Sequence, residues 1–553
     1  MKNLKKIMAL ASCCALSQLM PAQTHTLDTS FTVINRSDYN VVINDALKLR
    51  DNPVNDDSTR VIPVLKYGIN SIRANTVYTP EPLEAPHMSG DPLPRLYKLY
   101  ARGGFGNYTT SYGEVFFNSL RSREMAYGVH AKHLSSIATI KDKGFSGYSD
   151  NELDLYGKKF IRKHTLSGNF DYLRNVVHCY GVDSVERLVN IENDFTKNIF
   201  STISVGAGLQ SHLHDSAGIN HSVSARYINF FDNHSSVENN IFAGADLYTY
   251  YLGQRIGLET SVDYYNNRLA FDTVNDAIVR FAPSFRWAGK KFNLTMGIDV
   301  TADVAVRTRF HFYPKFEVNY DIIDQIIIPY AGARGGLIHN SYRSFASENP
   351  FLEPTLDFRN TDKRIEGYAG LRGSISSSMN YNMWGSFARV NDQYFYINDF
   401  SEALRNRFKV VYDSVKVLNL HGELGFRKRE KINFLFKGDY FRYYMKNEAH
   451  AWHRPGMQLT FTLNYNLKDK ILAHADVFVI GEQLANRDPQ SSVPQDFVVL
   501  KGYPDINLGL EYRVNSRLSG FANFNNLAGA HNQRWQNYPT QRFNFLAGLT
   551  YAL

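Results

Sequence analysis

The chain has little cysteine: three residues in 553, of which Cys13 and Cys14 lie within the first 22. Cys179 is left alone, and one thiol makes no internal disulfide, so a cross-linked secreted scaffold is excluded. No run of about 20 apolar residues occurs, which excludes a membrane-spanning helix on length. Tryptophan is scarce, with 4 residues, and proline is modest at 18. An excess of one charge is also nearly missing. Taking Lys2, Lys5 and Lys6 from the 61 basic residues leaves 58 against 53 acidic ones, a net of +5. That is too mild a balance for a nucleic-acid partner. Phosphate-loop chemistry is missing as well. Gly332-Ala333-Arg334-Gly335-Gly336 has no Lys-Ser/Thr and no following helix, and glycine in such a stretch marks curvature or crowding of a strand.

What the chain does have is aromatic residues, 37 Phe and 35 Tyr, together with 37 Gly and a pervasive period of two. The last twelve residues show it plainly. Phe543, Phe545, Ala547, Leu549, Tyr551 and Leu553 fall on one face of a strand, and Asn544, Leu546, Gly548, Thr550 and Ala552 on the other. A strand with one oily face that runs to the chain terminus, with an aromatic near its end, suits the closing strand of an outer-membrane barrel. Such a terminus is what a barrel-assembly machinery would recognise.

Residues 1–22 read as a secretory signal: Lys2, Lys5 and Lys6 make the charged start, Ile7–Leu16 is a short apolar core, and Ala22 precedes the expected cleavage. Residues 23–95 have another texture, rich in Asp, Asn, Thr and Pro, as in Asp51-Asn52-Pro53-Val54-Asn55-Asp56-Asp57. Their apolar pieces are broken by proline and too sparse for an independent core. The expectation is an irregular periplasmic arm or a reduced lumen filler.

Alternating segments fill residues 96–553. Leu418, Leu420, Gly422, Leu424 and Phe426 oppose Asn419, His421, Glu423 and Gly425; Met457, Leu459, Phe461, Leu463 and Tyr465 oppose Gln458, Thr460, Thr462 and Asn464. Their connections alternate between short polar turns, such as Arg162-Lys163-His164 and Lys468-Asp469-Lys470, and long loops. The long ones include Asn340–Lys363, Met445–Gly456, Ala485–Gly502 and Asn526–Gln541. Short turns at one end and long loops at the other are the outer-membrane arrangement, whereas a soluble sandwich rarely shows that asymmetry. The count is about 22 antiparallel strands, uncertain by two to four. An all-β fold follows, a large transmembrane β-barrel in contact with outer-membrane lipid.

Three stretches carry a family resemblance: Asn525-Asn526-Leu527-Ala528-Gly529, then Trp535-Gln536-Asn537-Tyr538-Pro539, then the closing strand. They resemble the C-terminal barrel segment of TonB-dependent receptors. Glu348-Asn349-Pro350-Phe351-Leu352-Glu353-Pro354 is similar to that family's Asn-Pro-x-Leu-x-Pro loop, and Ala101–Thr110 looks like the opening strand of plug-poor relatives from Bacteroidetes. The resemblance implies uptake or passage of an external solute across the outer membrane of a bacterium. It also implies contact with TonB or another envelope protein through residues 23–95. Those residues are too few for the family's globular plug, and Tyr39-Asn40-Val41-Val42-Ile43 is only a loose TonB box. The rival reading is a non-transporting scaffold or accessory subunit of an outer-membrane complex.

No catalytic, cofactor or metal residue stands out, and no ligand-binding residue is singled out. His212-Leu213-His214-Asp215 has metal-like spacing but falls in an expected turn, and His450-Ala451-Trp452-His453 in an expected solvated loop. On the inner faces, Arg364, Glu366, Tyr368 and Arg372 are expected to share one strand, and Asp505, Glu511 and Arg513 another. Mixed signs argue against a strongly charge-selective pore.

Overall fold

A computed structural model describes residues 96–553 except 183–191, 214–217, 269–272, 306, 355 and 430. The signal and the 23–95 arm expected from the sequence lie outside the described residues. The alternating segments form one antiparallel sheet of 22 strands, in which each strand pairs with its neighbour in sequence. The first strand, Leu99–Gly106, pairs with the last, Asn544–Ala552, from Tyr100 opposite Ala552 to Gly106 opposite Leu546. That pairing closes the barrel and leaves the sheet without an edge. No helix among the described residues is long and apolar enough to cross a membrane.

The period of two sorts side chains between bilayer and lumen. On the last strand Phe545, Leu549 and Tyr551 are exposed on the outer face, while Asn544, Leu546 and Thr550 are buried. Beside the short turns the outer face carries Tyr127, Trp287, Tyr320, Tyr465, Tyr512 and Tyr551, all exposed. Amphipathic rings at one level around a barrel are where a membrane's interfacial zone places them.

Closure requires the seam backbones to come close. A Cβ on Gly548 would lie 2.0 Å from the Gly103 carbonyl oxygen and 2.7 Å from the Phe521 ring, so glycine is required there. Register is regular almost throughout. One exception bears on the lumen: a bulge between Lys363 and Ile365 leaves Arg364 without a partner on the strand Met379–Asp399.

Candidate functional site

The short-turn end consists of turns such as Arg162-Lys163 and Lys468-Asp469-Lys470, while the other end carries a folded cap built from the long loops. Its apolar core joins Ile140, Tyr180, Tyr342, Phe345, Phe351, Leu352, Trp535 and Tyr538 from four connections. The same cluster includes Phe200 and Tyr396, which lie on the strands Lys197–Ser211 and Met379–Asp399. These are the sixth and fifteenth of the 22, nearly opposite each other, so one continuous apolar contact spans the mouth. Phe351 stacks on Tyr538 with ring centroids 3.8 Å apart, and Tyr180 meets Tyr538 edge-on at 4.9 Å.

Local sequence explains the central piece. Ser341 caps the helix Tyr342–Glu348 in a reciprocal capping box with Ser344. The helix stops at Asn349 because the next residue is Pro350, which disfavours helical backbone before it. Pro350 thereby turns Phe351 and Leu352 into the core, each only 1% exposed. The Asn-Pro-x-Leu-x-Pro stretch, noticed in the sequence as a family-like loop, thus lies at the centre of the cap.

Polar ties surround that core. Glu348 accepts hydrogen bonds from the hydroxyls of Tyr394 at 2.7 Å and Tyr396 at 3.2 Å, and from Arg454 at 3.0 Å. Arg534 approaches it at 3.6 Å. One nearly buried carboxylate therefore joins three loops to the wall. Asp413 accepts the backbone N–H groups of Lys446, Asn447 and Glu448 at 2.9–3.0 Å and so holds down the start of the loop 445–456.

That loop is not the solvated segment its composition suggested. Trp452 and His453 are 5% and 2% exposed. Trp452 donates its indole N–H to Glu448 at 2.8 Å, and its ring packs with Phe395 and Val415. His453 donates from Nδ1 to the Tyr396 carbonyl at 2.8 Å and accepts the Gln536 N–H on Nε2 at 3.4 Å. Both partners suit the neutral ring. Burial, with Arg534 and Arg454 nearby, pulls its pKa down to about 4 against the opposing backbone bond. Burial likewise raises the Cys179 thiol to about 11, so this lone cysteine is a packed apolar residue rather than a reactive one.

Beneath the cap the lumen wall is charged. The bulge corrects one expectation. Lys363, opposite Val390, reaches Glu366 at 3.3 Å, while Arg364 is the extra residue and lies 3.7 Å from Asp362. Glu366 also receives Arg334 at 2.8 Å, and Tyr368 donates to Glu317 at 2.9 Å. Arg372 lies over the Tyr330 ring. Nearer the seam, His130 touches Asp154 at 2.8 Å and Glu114 at 3.2 Å. With Glu152 and Asp154, His130 forms a group whose ligand-type atoms lie within 4.8 Å of one another. Both of its ring nitrogens already have carboxylate partners, and Glu152 holds Lys132 at 3.2 Å. His212 pairs with Thr165 at 2.8 Å, while His214 and Asp215 lie outside the described residues.

Sequence reasoning missed Glu348, Arg454, Asp413 and Lys363. One signal was present for the cap, the cluster of Tyr342, Phe345 and Phe351 within ten residues, which a solvated loop seldom carries; the loop 445–456 offered none.

No protein-family model matches this chain, and no curated protein does. Solved structures do. The ferric-catecholate import receptor Fiu from K12 E. coli, in its closed form, aligns over 83% of this chain and 82% of its own at TM-score 0.60 and 11% identity. The pyoverdine outer membrane receptor FpvA from Pseudomonas aeruginosa aligns over 83% and 78% at TM-score 0.63 and 12% identity. The FrpB iron transporter from Neisseria meningitidis aligns over 83% and 82% at TM-score 0.64 and 8% identity. At these identities the likeness is one of fold, that of a closed 22-strand outer-membrane barrel.

Proposed function

We propose that the protein serves the uptake or passage of an external solute across a bacterial outer membrane. The reading rests mainly on one observation: a closed 22-strand wall surrounds a charged lumen whose outer mouth is spanned by ordered loops. Barrels of that width enclose more space than side chains fill, and large transporters keep such a lumen plugged. A loop cap over charged walls suits a route that is shut at rest and opened on demand. The fold shared with an import receptor and an iron transporter supports the same reading. TonB or another envelope protein, engaged through residues 23–95, is the expected source of opening energy. No covalent chemistry is assigned to the chain.

The scaffold reading has its own support in the cap, which is packed like a permanent domain, an apolar core bordered by buried ion pairs. Single-channel conductance of the purified mature protein in planar bilayers separates the two. The expected result is near-silence for the whole chain and large steps when Glu348→Ala loosens the cap. Silence from both, together with a stoichiometric partner that co-purifies, would overturn transport in favour of the scaffold.

A further inference from the structure

Five consecutive strands, Ile328–Ile338, Thr361–Ser376, Met379–Asp399, Arg407–Lys428 and Ile432–Tyr444, line a cavity of about 150 Å3 on the lumen wall. Arg454, from the loop 445–456, is its cap-side member. Its charged lining is unbalanced: Arg334, Lys363 and Arg454 against the single carboxylate Glu366.

The hydrogen bonds show how that carboxylate is divided. Glu366 holds Arg334 Nε at 2.8 Å and Lys363 at 3.3 Å on one oxygen, and takes the Ser386 hydroxyl at 3.0 Å on the other. Two cations therefore share one anion. The third, Arg454, turns its guanidinium to Glu348 in the cap. Glu317 lies outside the lining and accepts from Tyr368, whose ring is 5.1 Å from the Arg334 guanidinium. Arg334 meets Glu366 through Nε, and its side chain is 40% accessible against 6% for its partner. The forked end of the guanidinium is thus the part left toward open space, and that fork is the geometry that grips an oxyanion with two hydrogen bonds.

Two other features define the rest of an occupant. Trp384 and Phe441 contribute ring surface to the lining, with Trp384 held in place by stacking on His421 at 5.1 Å. Asn419, 7% exposed and in the same lining, has a buried side-chain oxygen with no hydrogen-bond partner. Such an acceptor is costly unless a donor meets it. The volume is well below the roughly 300–1,000 Å3 of drug-sized pockets, so the occupant is small.

We propose that this cavity binds a small hydroxylated oxyanion. Its carboxylate or phosphate would meet Arg334, its ring or apolar face Trp384 and Phe441, and its hydroxyl Asn419. The inference deepens the transport reading by naming the class of solute held under the cap, and it stands or falls on binding rather than on flux.

The test is calorimetric titration of the whole mature protein in detergent with 4-hydroxybenzoate, inorganic phosphate and the neutral 4-hydroxybenzyl alcohol. Saturable heat is expected from 4-hydroxybenzoate, at least ten-fold weaker binding from the alcohol, and an intermediate affinity from phosphate if the oxyanion alone suffices. Arg334→Gln should weaken the benzoate at least ten-fold, with Arg334→Lys recovering part of the loss. Heat-dependent gel mobility confirms that each variant remains a folded barrel. Equal affinity for the anion and the alcohol, no heat from either anion with folded protein, or indifference to Arg334→Gln would overturn the proposal. Flux without binding would sink this site and leave transport standing, whereas binding without flux would do the reverse.

Discussion

At one end of the barrel six of the ten connections are turns of two or three residues, and several of these residues, including Arg162, Lys468 and Asp469, adopt left-handed backbone. Their stability is local: paired strands on either side, polar side chains in water, and little to bury. At the other end six connections are long, and apolar residues from four of them form a core with buried ions at its border. The same wall therefore ends in two materials. One is a hem of turns bonded within themselves and to the next turn along, as Lys470 is to the Val514 carbonyl. The other is a small domain whose residues come from connections hundreds of positions apart, as the hydrogen bond from Tyr180 to the Pro539 carbonyl illustrates. A cap of that kind can open as a unit while the wall stays paired, because the closed sheet does not depend on it.

The comparison breaks most sharply at Glu348. Replacing it by alanine removes the carboxylate that Arg454 and the hydroxyls of Tyr394 and Tyr396 share. Removing one member of a buried charged network costs about 4 kcal/mol. Hydrogen exchange should therefore show the loops 339–360, 445–456 and 526–543 losing protection together, with strands near the short turns unchanged. Loss of protection confined to one loop would mean that the cap is not a cooperative unit.

Phe351→Ala tests the apolar half of the same unit. The ring is 1% exposed and stacked on Tyr538, and its removal should cost about 3 kcal/mol, the low end for a buried phenylalanine because a loop core relaxes more than a sheet core. Limited proteolysis should then cut within 339–360 at least ten-fold faster. The outward-facing Leu549→Ala, in lipid, should leave that rate unchanged.

Acid provides a third lever. His453 stays neutral in the closed cap down to about pH 4, whereas in an opened loop it would titrate near 6.5. Between those values the open state binds the extra proton. The contribution is complete above pH 6.5 and is lost as pH falls toward 4, by about 2 kcal/mol at pH 5. Tryptophan emission, through Trp452 and Trp535 in the cap, should shift reversibly over that window. A His453→Gln variant should lack the shift, and its persistence there would assign the transition to another group.

The wall was readable from the sequence because its signal is local. A residue's face follows from its parity, so Asn419 and His421 could be placed inward, and Leu418 and Leu420 outward, without knowing any partner. Among the inner-face residues named from the sequence, parity failed at Arg364, where a bulge inserts a residue and hands the inner position beside Glu366 to Lys363. Nothing in Asp362-Lys363-Arg364 distinguishes a bulge from continued alternation. The cap was illegible for a different reason. His450-Ala451-Trp452-His453 is polar enough to read as solvated, and its burial depends on Tyr396 and Gln536, far away in sequence. Composition reports what a segment would do alone, and these loops fold only against one another.

The smallest effect is expected at the hem. Lys468 and Asp469 both have positive φ, at 52° and 56°, in a turn where Asn466 accepts the Asp469 N–H at 2.8 Å. Lysine tolerates that conformation poorly, and asparagine or glycine suits it better because a short polar side chain relieves the clash. Lys468→Asn should therefore stabilise the hairpin by about 0.5 kcal/mol and raise the urea midpoint of the folded barrel slightly. Protection in the cap should not move, because the turn's hydrogen bonds stay at this end, within the turn and to the neighbouring one at Val514. A change in cap protection from so small a substitution would show that strain passes along the strands from one end to the other, and that the two ends are a single cooperative body.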